Sequence, residues 1–323
     1  MHDVTINPQI EAEWARLRYP FDQYQRYRDV KEVVDLIQTV RPDRPVRILD
    51  VGGSPTAWKF LPEYSVTTAN LSVSEAISLQ TDGTRLACKD ESFDVVITVD
   101  TLEHLPEALR PAFLDELMRV AADYIIITGP FANDYNEFGE ATLNEYIVNA
   151  FHAHHQFLQE HLQNGLPSLE LCRHQLTAAG AENIAVPSGY MVYWLPLMVI
   201  KVSLMQVWQG ADYSADLDAL YNSQRYWADH RLPSYRHLVV AAKHSADNPL
   251  LVAVEQHFSQ NTPDYAPDFS SIVAMWQAIT WQRALKARDM EIAVLRKQVE
   301  GYKSGRVMRL LTALHNLLSV FRK

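Results

Sequence analysis

The chain has 323 residues, of which 48% are hydrophobic and 21% charged. This composition is typical of a globular protein and excludes a disordered chain, a collagen-like fibre and a disulfide scaffold. The formal net charge of −10 offers little cationic surface to a nucleic-acid backbone, so we expect no nucleic-acid partner. Two cysteines, and a start without a basic segment followed by an apolar run, favour a cytoplasmic location.

Residues 1–45 predict a helical lead-in. Four apolar residues recur there at helical spacing, namely Val30, Val33, Val34 and Ile37. A β-like run over 46–51 then stops at Gly52 and Gly53, and Ser54 suits the start of a helix. The sequence therefore predicts a strand, a tight glycine turn and a helix, an arrangement in which the backbone can approach a ligand closely.

Strands and helices continue to alternate downstream. Further strands are predicted over 66–70, 94–99 and 124–128, with an amphipathic helix over 109–120 before the last of them. A late strand is predicted over 235–242. Continuous β-branched runs separated by helices favour a parallel sheet that is covered on both faces.

The alternation stops after Pro130. Helices with no strand between them are predicted over 135–180, followed by a short strand over 183–186. The apolar stretch 190–208 is long enough to raise the question of a membrane span. Because it contains Lys201 and other polar residues, a buried helix or a lid over an apolar pocket is the preferred interpretation.

A series of motifs between the glycine turn and the fourth predicted strand carries the functional signal. They are Asp50-Val51-Gly52-Gly53-Ser54, Asp82-Gly83-Thr84-Arg85-Leu86-Ala87, Ser92-Phe93-Asp94-Val95-Val96 and Asp100-Thr101-Leu102-Glu103-His104-Leu105. In order and spacing they resemble the class I S-adenosylmethionine-dependent methyltransferases of the small-molecule type, over about residues 44–131. The resemblance implies an α/β fold: a Rossmann-like sheet with helices on both faces, a helical insertion after the fourth strand and a C-terminal helical appendage.

The same resemblance implies a division of the chain and a cofactor, S-adenosylmethionine. The expected parts are 1–45 as a lead-in that covers the cofactor, 46–245 as the methyltransferase domain with helical substrate insertions at about 132–180 and 187–234, 246–269 as a linker, and 270–323 as a helical or coiled-coil tail.

A set of cofactor-binding residues is carried over from the family motifs. The glycine turn would pass the methionine part, Asn70 would bond the ribose hydroxyls, and Asp82 would accept from the adenine amino group. The full set is Arg26, Asp50, Gly52, Gly53, Asn70, Asp82, Gly83, Asp100 and Leu102. Arg26 would bind the carboxylate of the cofactor's methionine part through its planar guanidinium group.

Two departures from the family pattern bear on how well this site works. Ser54 stands where the last glycine is usual, and Asn70 stands where Asp or Glu is usual. A neutral amide bonds hydroxyls without charge assistance, which favours weaker cofactor binding or a degenerate site. A nicotinamide-binding protein is the alternative for the same fold. That class requires G-x-G-x-x-G and an acid at the end of the second strand, and this sequence has neither.

Acceptor recognition is expected in the two insertions. The first holds four histidines within eleven residues, His152, His154, His155 and His161. A packed or hydrated helix face explains such a run more often than a metal does, because metal sites need three or four converging ligands, and we expect no metal. Histidine can take the proton of a hydroxyl acceptor near neutral pH. The candidate bases are His104, His154, His155 and His161, with Glu103 and Glu140 behind them, and each can equally be structural.

The acceptor is suggested by a second, weaker resemblance. Residues 140–167 and 233–236 look like methyltransferases encoded with bacterial cell-surface polysaccharide enzymes, which implies a sugar or glycan hydroxyl. Aromatic residues that could stack on sugar rings are Tyr190, Tyr193, Trp194 and Trp208, although aromatic residues at such spacing more often belong to the core. Two alternatives stay open: a non-catalytic cofactor-binding or scaffold protein of polysaccharide assembly, and an N- or C-methyltransferase of a small metabolite.

The C-terminal tail combines a heptad-like segment with a basic amphipathic one. Apolar residues at heptad positions are Leu285, Ile292, Leu295, Val299 and Tyr302, and a second stripe comprises Val307, Leu310, Leu311, Leu314, Leu317, Leu318 and Phe321. The charged residues from 305 onward are all basic. The segment 285–323 therefore predicts self-association or peripheral attachment at the inner face of the membrane, with docking on its own protein as the alternative.

Overall fold

The computed structural model describes residues 8–72, 77–205, 210–244, 249–266, 268–305, 308–311 and 313–315. They fall into two compact units, Met1–Asp268 and Phe269–Lys323.

A seven-stranded sheet forms the centre of the first unit, in the order β3-β2-β1-β4-β5-β7-β6. Its strands are β1 (Arg47–Val51), β2 (Ser65–Asn70), β3 (Leu79–Gln80), β4 (Phe93–Val99), β5 (Ala121–Pro130), β6 (Glu182–Tyr190) and β7 (Ser234–Ala242). The pairings among β1 to β5 are parallel, as the sequence predicts. β7 runs antiparallel to both neighbours, so the prediction of a wholly parallel sheet is wrong at this strand.

Helices surround the sheet. They are α1 (Pro8–Leu17), α2 (Phe21–Thr39), α3 (Thr56–Phe60), α4 (Arg110–Val120), α5 (Asp134–Phe151), α6 (Gln156–Asn164), α7 (Leu169–Ala178), α8 (Met191–Leu204), α9 (Gly210–Arg225) and α10 (Pro249–Asn261). Among the described residues no helix combines the length and apolarity that a membrane span needs. The apolar stretch 190–208 instead supplies α8, whose Tyr193 and Trp194 are buried in the protein.

The alternation of side chains along each strand explains why both faces are covered. In β1, Ile48 and Leu49 are both fully buried, yet they belong to two different apolar clusters, one on each face. Val33 of α2 lies in the first cluster, and Phe113 of α4 lies in the second. Covering helices on both faces are what unbroken runs of β-branched residues require.

The linker predicted over 246–269 is wrong where α10 forms. Leu250, Val254 and Phe258 on this helix are buried in the cluster that α2 also enters. Pro249 opens the helix, where a missing backbone N–H costs nothing, so its presence does not indicate a loop.

The second unit contains one long helix, α11 (Phe269–Ser304). The heptad-like residues on it are exposed, from 45% for Ile292 to 75% for Tyr302. Residues 308–311 and 313–315 are helical as well, whereas 316–323, the rest of the predicted basic helix, lie outside the described residues.

Candidate active site

The glycine turn after β1 is built so that only glycine fits its first position. Gly52 has φ +79°, in the left-handed region. The backbone N–H groups of Gly52 and Gly53 both donate to the Ala69 carbonyl oxygen, at 2.9 and 3.2 Å. A Cβ on Gly52 would lie 2.2 Å from Oγ1 of Thr101. The turn is therefore held against the end of β2 and against the loop after β4.

Asp50 lies directly under this turn. A Cβ on Gly53 would lie 2.5 Å from Oδ2 of Asp50, and the carboxyl is fully buried. Burial raises the pKa of Asp50 to about 7, and the backbone amide of Ser54 opposes the shift only in part. Asp50 therefore packs against the turn as a carboxyl that is only partly ionised near neutral pH.

Asn70, at the end of β2, is tied to the same turn. Its Nδ2 donates to the carbonyl oxygens of Gly52 and Gly53, at 3.3 and 3.1 Å. Its Oδ1 accepts from the backbone N–H and the hydroxyl of Ser72, both at 3.2 Å. A carboxylate has no hydrogen to donate to two carbonyl groups. Asparagine can therefore bind the two glycine carbonyl groups of this turn, whereas the usual acid cannot. This role of Asn70 was not apparent from the sequence, where the residue stands only as a substitute for the acid.

Asp82 and Gly83 follow β3. Oδ1 of Asp82 accepts from the backbone N–H and the hydroxyl of Thr84, both at 2.8 Å, and the backbone bond lowers its pKa. Asp82 is exposed, whereas a Cβ on Gly83 would lie 2.6 Å from the Phe113 ring. The close contact of Gly83 with Phe113 of α4 therefore explains why position 83 is a glycine.

Two arginines converge on Asp100, which has φ +44° directly after β4. Arg26 of α2 pairs with its Oδ2, and Arg236 of β7 donates to both oxygens at 2.6 to 3.1 Å. Burial alone would raise the pKa of Asp100, but the charges of Arg236 and Arg26 outweigh it and lower the pKa to about 2. Arg26 thus meets a carboxylate of its own chain. Arg236 lies in the segment 233–236 that the sequence analysis relates to polysaccharide methyltransferases, but no local pattern indicates its contact with Asp100.

The two guanidinium groups retain donors beyond this pairing. Nε of Arg26 and Nη1 of Arg236 are buried, and neither has a hydrogen-bond partner within the described part of the chain. With two cations around one anion, the cluster carries an excess positive charge. It suits a carboxylate, such as that of an amino-acid moiety.

Beyond Asp100, the loop brings together acidic and imidazole groups from distant segments. Glu103 is 1% exposed, and burial together with the charge of Asp100 raises its pKa well above the usual range. Nε2 of His104 lies 4.0 Å from Oε1 of Glu103, and the His104 and His161 rings lie 4.9 Å apart. His161 bonds Oε1 of Glu140 through Nδ1 at 2.8 Å. Two of the four candidate histidines therefore meet, next to Leu102, which is buried.

The other two candidate histidines are not among these three converging groups. His154 is exposed, whereas His155 is half-buried, with its ring 5.7 Å from that of Phe157, and is near enough to His161 to interact with it electrostatically. Burial lowers the pKa of both His104 and His155. The run of histidines in the sequence therefore did not identify the histidines that meet in the structure. Those are His104 and His161, which are distant in sequence.

The aromatic residues proposed as sugar platforms are mostly structural. Tyr193 and Trp194 are 2% and 3% exposed, and Trp194 stacks on Tyr235 with ring centroids 3.7 Å apart. These two rings therefore belong to the core, the alternative that the sequence favours for aromatic residues at this spacing, because α8 packs them inward. Trp208 lies outside the described residues.

The profile of a family described as a methyltransferase domain matches residues 61–123, from the end of α3 into β5. The sheet order and the antiparallel β7 form the Rossmann-like sheet that the sequence motifs imply for the class I enzymes. Residues 61–123 carry a methyltransferase domain. Its reaction is methyl transfer, and its cofactor is S-adenosylmethionine. A search of curated proteins finds no match to this methyltransferase.

Solved structures similar to this methyltransferase include three that differ in their acceptors. A Galdieria sulphuraria protein with a proposed sarcosine dimethylglycine methyltransferase activity is 14% identical, with a TM-score of 0.42, covering 66% of this chain and 85% of its own. Magnesium protoporphyrin IX methyltransferase of Synechocystis, with bound S-adenosylhomocysteine, is 13% identical, with a TM-score of 0.39 and coverages of 74% and 95%. The plantazolicin methyltransferase BpumL, in complex with a triazolic desmethylPZN analog and S-adenosylhomocysteine, is 12% identical, with a TM-score of 0.42 and coverages of 74% and 91%.

Proposed function

We propose that this methyltransferase methylates a hydroxyl group of a sugar or glycan by in-line displacement. Its cofactor supplies the methyl group on a cationic sulfonium. The observation that carries the proposal is the group of titratable side chains formed by Glu103 and His104, in the loop after β4, together with His161 of α6. A hydroxyl is a poor nucleophile while it keeps its proton, so a base beside the acceptor serves O-methylation in particular.

The chain's own residues would hold the cofactor along the ends of β1 to β4. The two arginines at Asp100, which are buried and retain free donors, would bind the carboxylate of its methionine part. The turn at Gly52 and Gly53 would pass beside that part, braced from below by Asp50. Asn70 and Asp82, which follow β2 and β3, would meet the ribose hydroxyls and the adenine amino group.

We assign the role of base to His104. Its side chain is 26% exposed, against 7% for His161, so it is the imidazole that an acceptor can reach. Burial and the neighbouring His161 lower its pKa, which keeps the ring neutral near pH 7 with one nitrogen free to take a proton. Its Nδ1 lies 2.9 Å from a carboxylate oxygen of Glu160, and a proton on Nδ1 beside that carboxylate leaves Nε2 as the accepting atom.

The test is turnover with defined acceptors. The purified protein is incubated with S-adenosylmethionine and a panel of monosaccharides, oligosaccharides and amines, and release of the demethylated cofactor is followed while products are identified by mass spectrometry and NMR. We expect an O-methyl sugar. Products methylated only on nitrogen or carbon would overturn the assignment of acceptor.

A variant pair tests the base. His104→Ala should lower kcat by roughly 10²- to 10⁴-fold and leave the Kd for S-adenosylmethionine unchanged. His154→Ala, an exposed histidine outside the group, is the matched control and should retain full activity. Full kcat in His104→Ala with a hydroxyl acceptor would refute the assignment.

We further propose that the segment 285–323 mediates self-association. The support is the row of exposed apolar side chains on α11 and beyond it, including Leu285 at 57%, Leu295 at 51% and Leu310 at 64%. Sedimentation of the full chain and of a chain ending at 284 should differ in oligomeric state. If both are monomeric and only the full chain binds anionic vesicles, the segment is a membrane-surface element instead.

A further inference from the structure

Three side chains near Asp100 direct ligand atoms at a common point. One oxygen of Glu103 and one ring nitrogen each of His104 and His161 all lie within 4.8 Å of one another. In a tetrahedral site with bonds of about 2.0–2.2 Å, two ligand atoms lie about 3.3–3.6 Å apart. The most distant of these atoms therefore need to draw together by about 1–1.5 Å to share an ion, which side-chain rotation can supply.

Two of these groups lack any partner that would otherwise explain their placement. Both carboxylate oxygens of Glu103 and Nε2 of His161 are buried, and none has a hydrogen-bond partner among the residues that the structure describes. Glu103 is 1% exposed and His161 is 7% exposed. A buried polar atom without a partner costs about 1–3 kcal/mol, and an ion at the common point would satisfy all three atoms.

Each of the two imidazole rings has a carboxylate next to its Nδ1 atom. Nδ1 of His161 bonds Oε1 of Glu140 at 2.8 Å, and Nδ1 of His104 lies 2.9 Å from Oε2 of Glu160. The hydroxyl of Tyr235 donates to the same Glu140 oxygen at 2.6 Å. Histidine ligands of metals typically contact a carboxylate or carbonyl through the nitrogen that does not bind the ion. The bond to Glu140 therefore leaves Nε2 of His161 as its ligand atom, and the carboxylate of Glu160 beside Nδ1 of His104 favours Nε2 there as well.

The donor set at this point also suits a cation. Two imidazole nitrogens with one carboxylate oxygen suit a first-row transition metal, whereas Mg²⁺ and Ca²⁺ prefer oxygen alone.

We propose that Glu103, His104 and His161 bind one divalent transition-metal ion, with Zn²⁺ as the reference case, and that a fourth position stays open on the exposed side of His104. The inference goes beyond the proposed function and departs from the sequence analysis, which expected no metal. An ion there takes the Nε2 lone pair that the proposed base would use, so the metal-loaded protein is expected to transfer methyl groups more slowly.

The experiment measures metal binding in the absence of cofactor, so that it is independent of methyl transfer. Untagged full-length protein is stripped with a chelator and titrated with ZnCl₂ by calorimetry, and the bound metal is counted by elemental analysis. Co²⁺ serves as a spectroscopic probe through its visible absorption. We expect one saturable Zn²⁺ per chain with a Kd in the micromolar range or below.

Three variants locate the ion. Glu103→Gln and His161→Ala should each weaken Zn²⁺ binding at least tenfold, and Glu140→Gln, which alters only the outer contact of His161, should weaken it by roughly 10- to 100-fold. His154→Ala is the matched control and should bind as the parent does. Circular dichroism checks that each variant is folded.

Absence of stoichiometric binding to the folded parent would overturn the proposal. Binding that survives both Glu103→Gln and His161→Ala but is lost in His154→Ala would place the ion on the exposed histidines and would equally overturn it. Neither result bears on the O-methylation assay, which has its own readout.

Discussion

The buried carboxyl of Asp50 should make the stability of the protein depend on pH in a way that Asp50→Asn abolishes. Burial raises its pKa to about 7 in the folded protein from 3.8. The folded state therefore keeps its proton over a range of pH in which the unfolded state has lost it. The contribution of this group to stability is complete below pH 3.8 and is lost as the pH rises to 7.

The size of the effect follows from the two pKa values. Each pH unit between them corresponds to about 1.4 kcal/mol, and roughly two of these units lie between pH 5 and pH 7. Over pH 5 to 8 the free energy of unfolding of the parent protein should therefore fall by about 2.7 kcal/mol from this group alone. Asparagine has the same shape and does not titrate, so it resembles the protonated form.

The assay is urea denaturation of parent and variant at pH 5 and at pH 8, without cofactor. Other titrating groups affect both proteins alike, so the difference between them isolates Asp50. We expect Asp50→Asn to gain stability relative to the parent as the pH rises. A difference that changes by less than about 1 kcal/mol over this range would refute the argument, because Asp50 would then be ionised at little cost in the folded protein.

Three further outcomes are expected. Gly52→Ala should abolish binding of S-adenosylmethionine in calorimetry, whereas Gly180→Ala, also at positive φ but with nothing within 4 Å of its Cβ, should cost only about 1 kcal/mol of stability and leave binding intact. Asp100→Asn leaves two buried guanidinium groups without a counter-charge and should lower the free energy of unfolding by about 3–5 kcal/mol, measured by urea denaturation. Deletion of 305–323 should leave the Kd for S-adenosylmethionine unchanged. Loss of binding would show that this segment contributes to the cofactor site.

The strands were predictable from the sequence because their apolar runs are long and uninterrupted. β1, β2, β4 and β5 form where β-branched residues cluster, and the glycine turn follows β1 as predicted. β3 has only two residues, too few for a pattern to register. The direction of β7 could not be predicted, because an apolar run is the same when read in a parallel or an antiparallel strand.

The candidate site was less predictable, because its contacts join distant segments. Short-range motifs indicated the turn and Asp100, but nothing local in the sequence links Arg236 to them. The pairing of His161 with Glu140 joins two helices of the first insertion, and their meeting with His104 depends on how those helices pack. Asn70 was read as a deviation from the family pattern, although its donor capacity is what the turn uses.

The two ion pairs of Arg26 and Arg236 with Asp100, here called the clasp, determine when during synthesis the site can be completed. All the motifs that resemble the family are synthesised within the first 131 residues, yet the third member of the clasp is supplied by β7, more than a hundred residues later. Domains fold as units during synthesis, and here the unit is complete only when its penultimate sheet position is filled by β7. A nascent or truncated chain that ends before β7 contains every recognisable motif but presents Asp100 with one arginine in place of two.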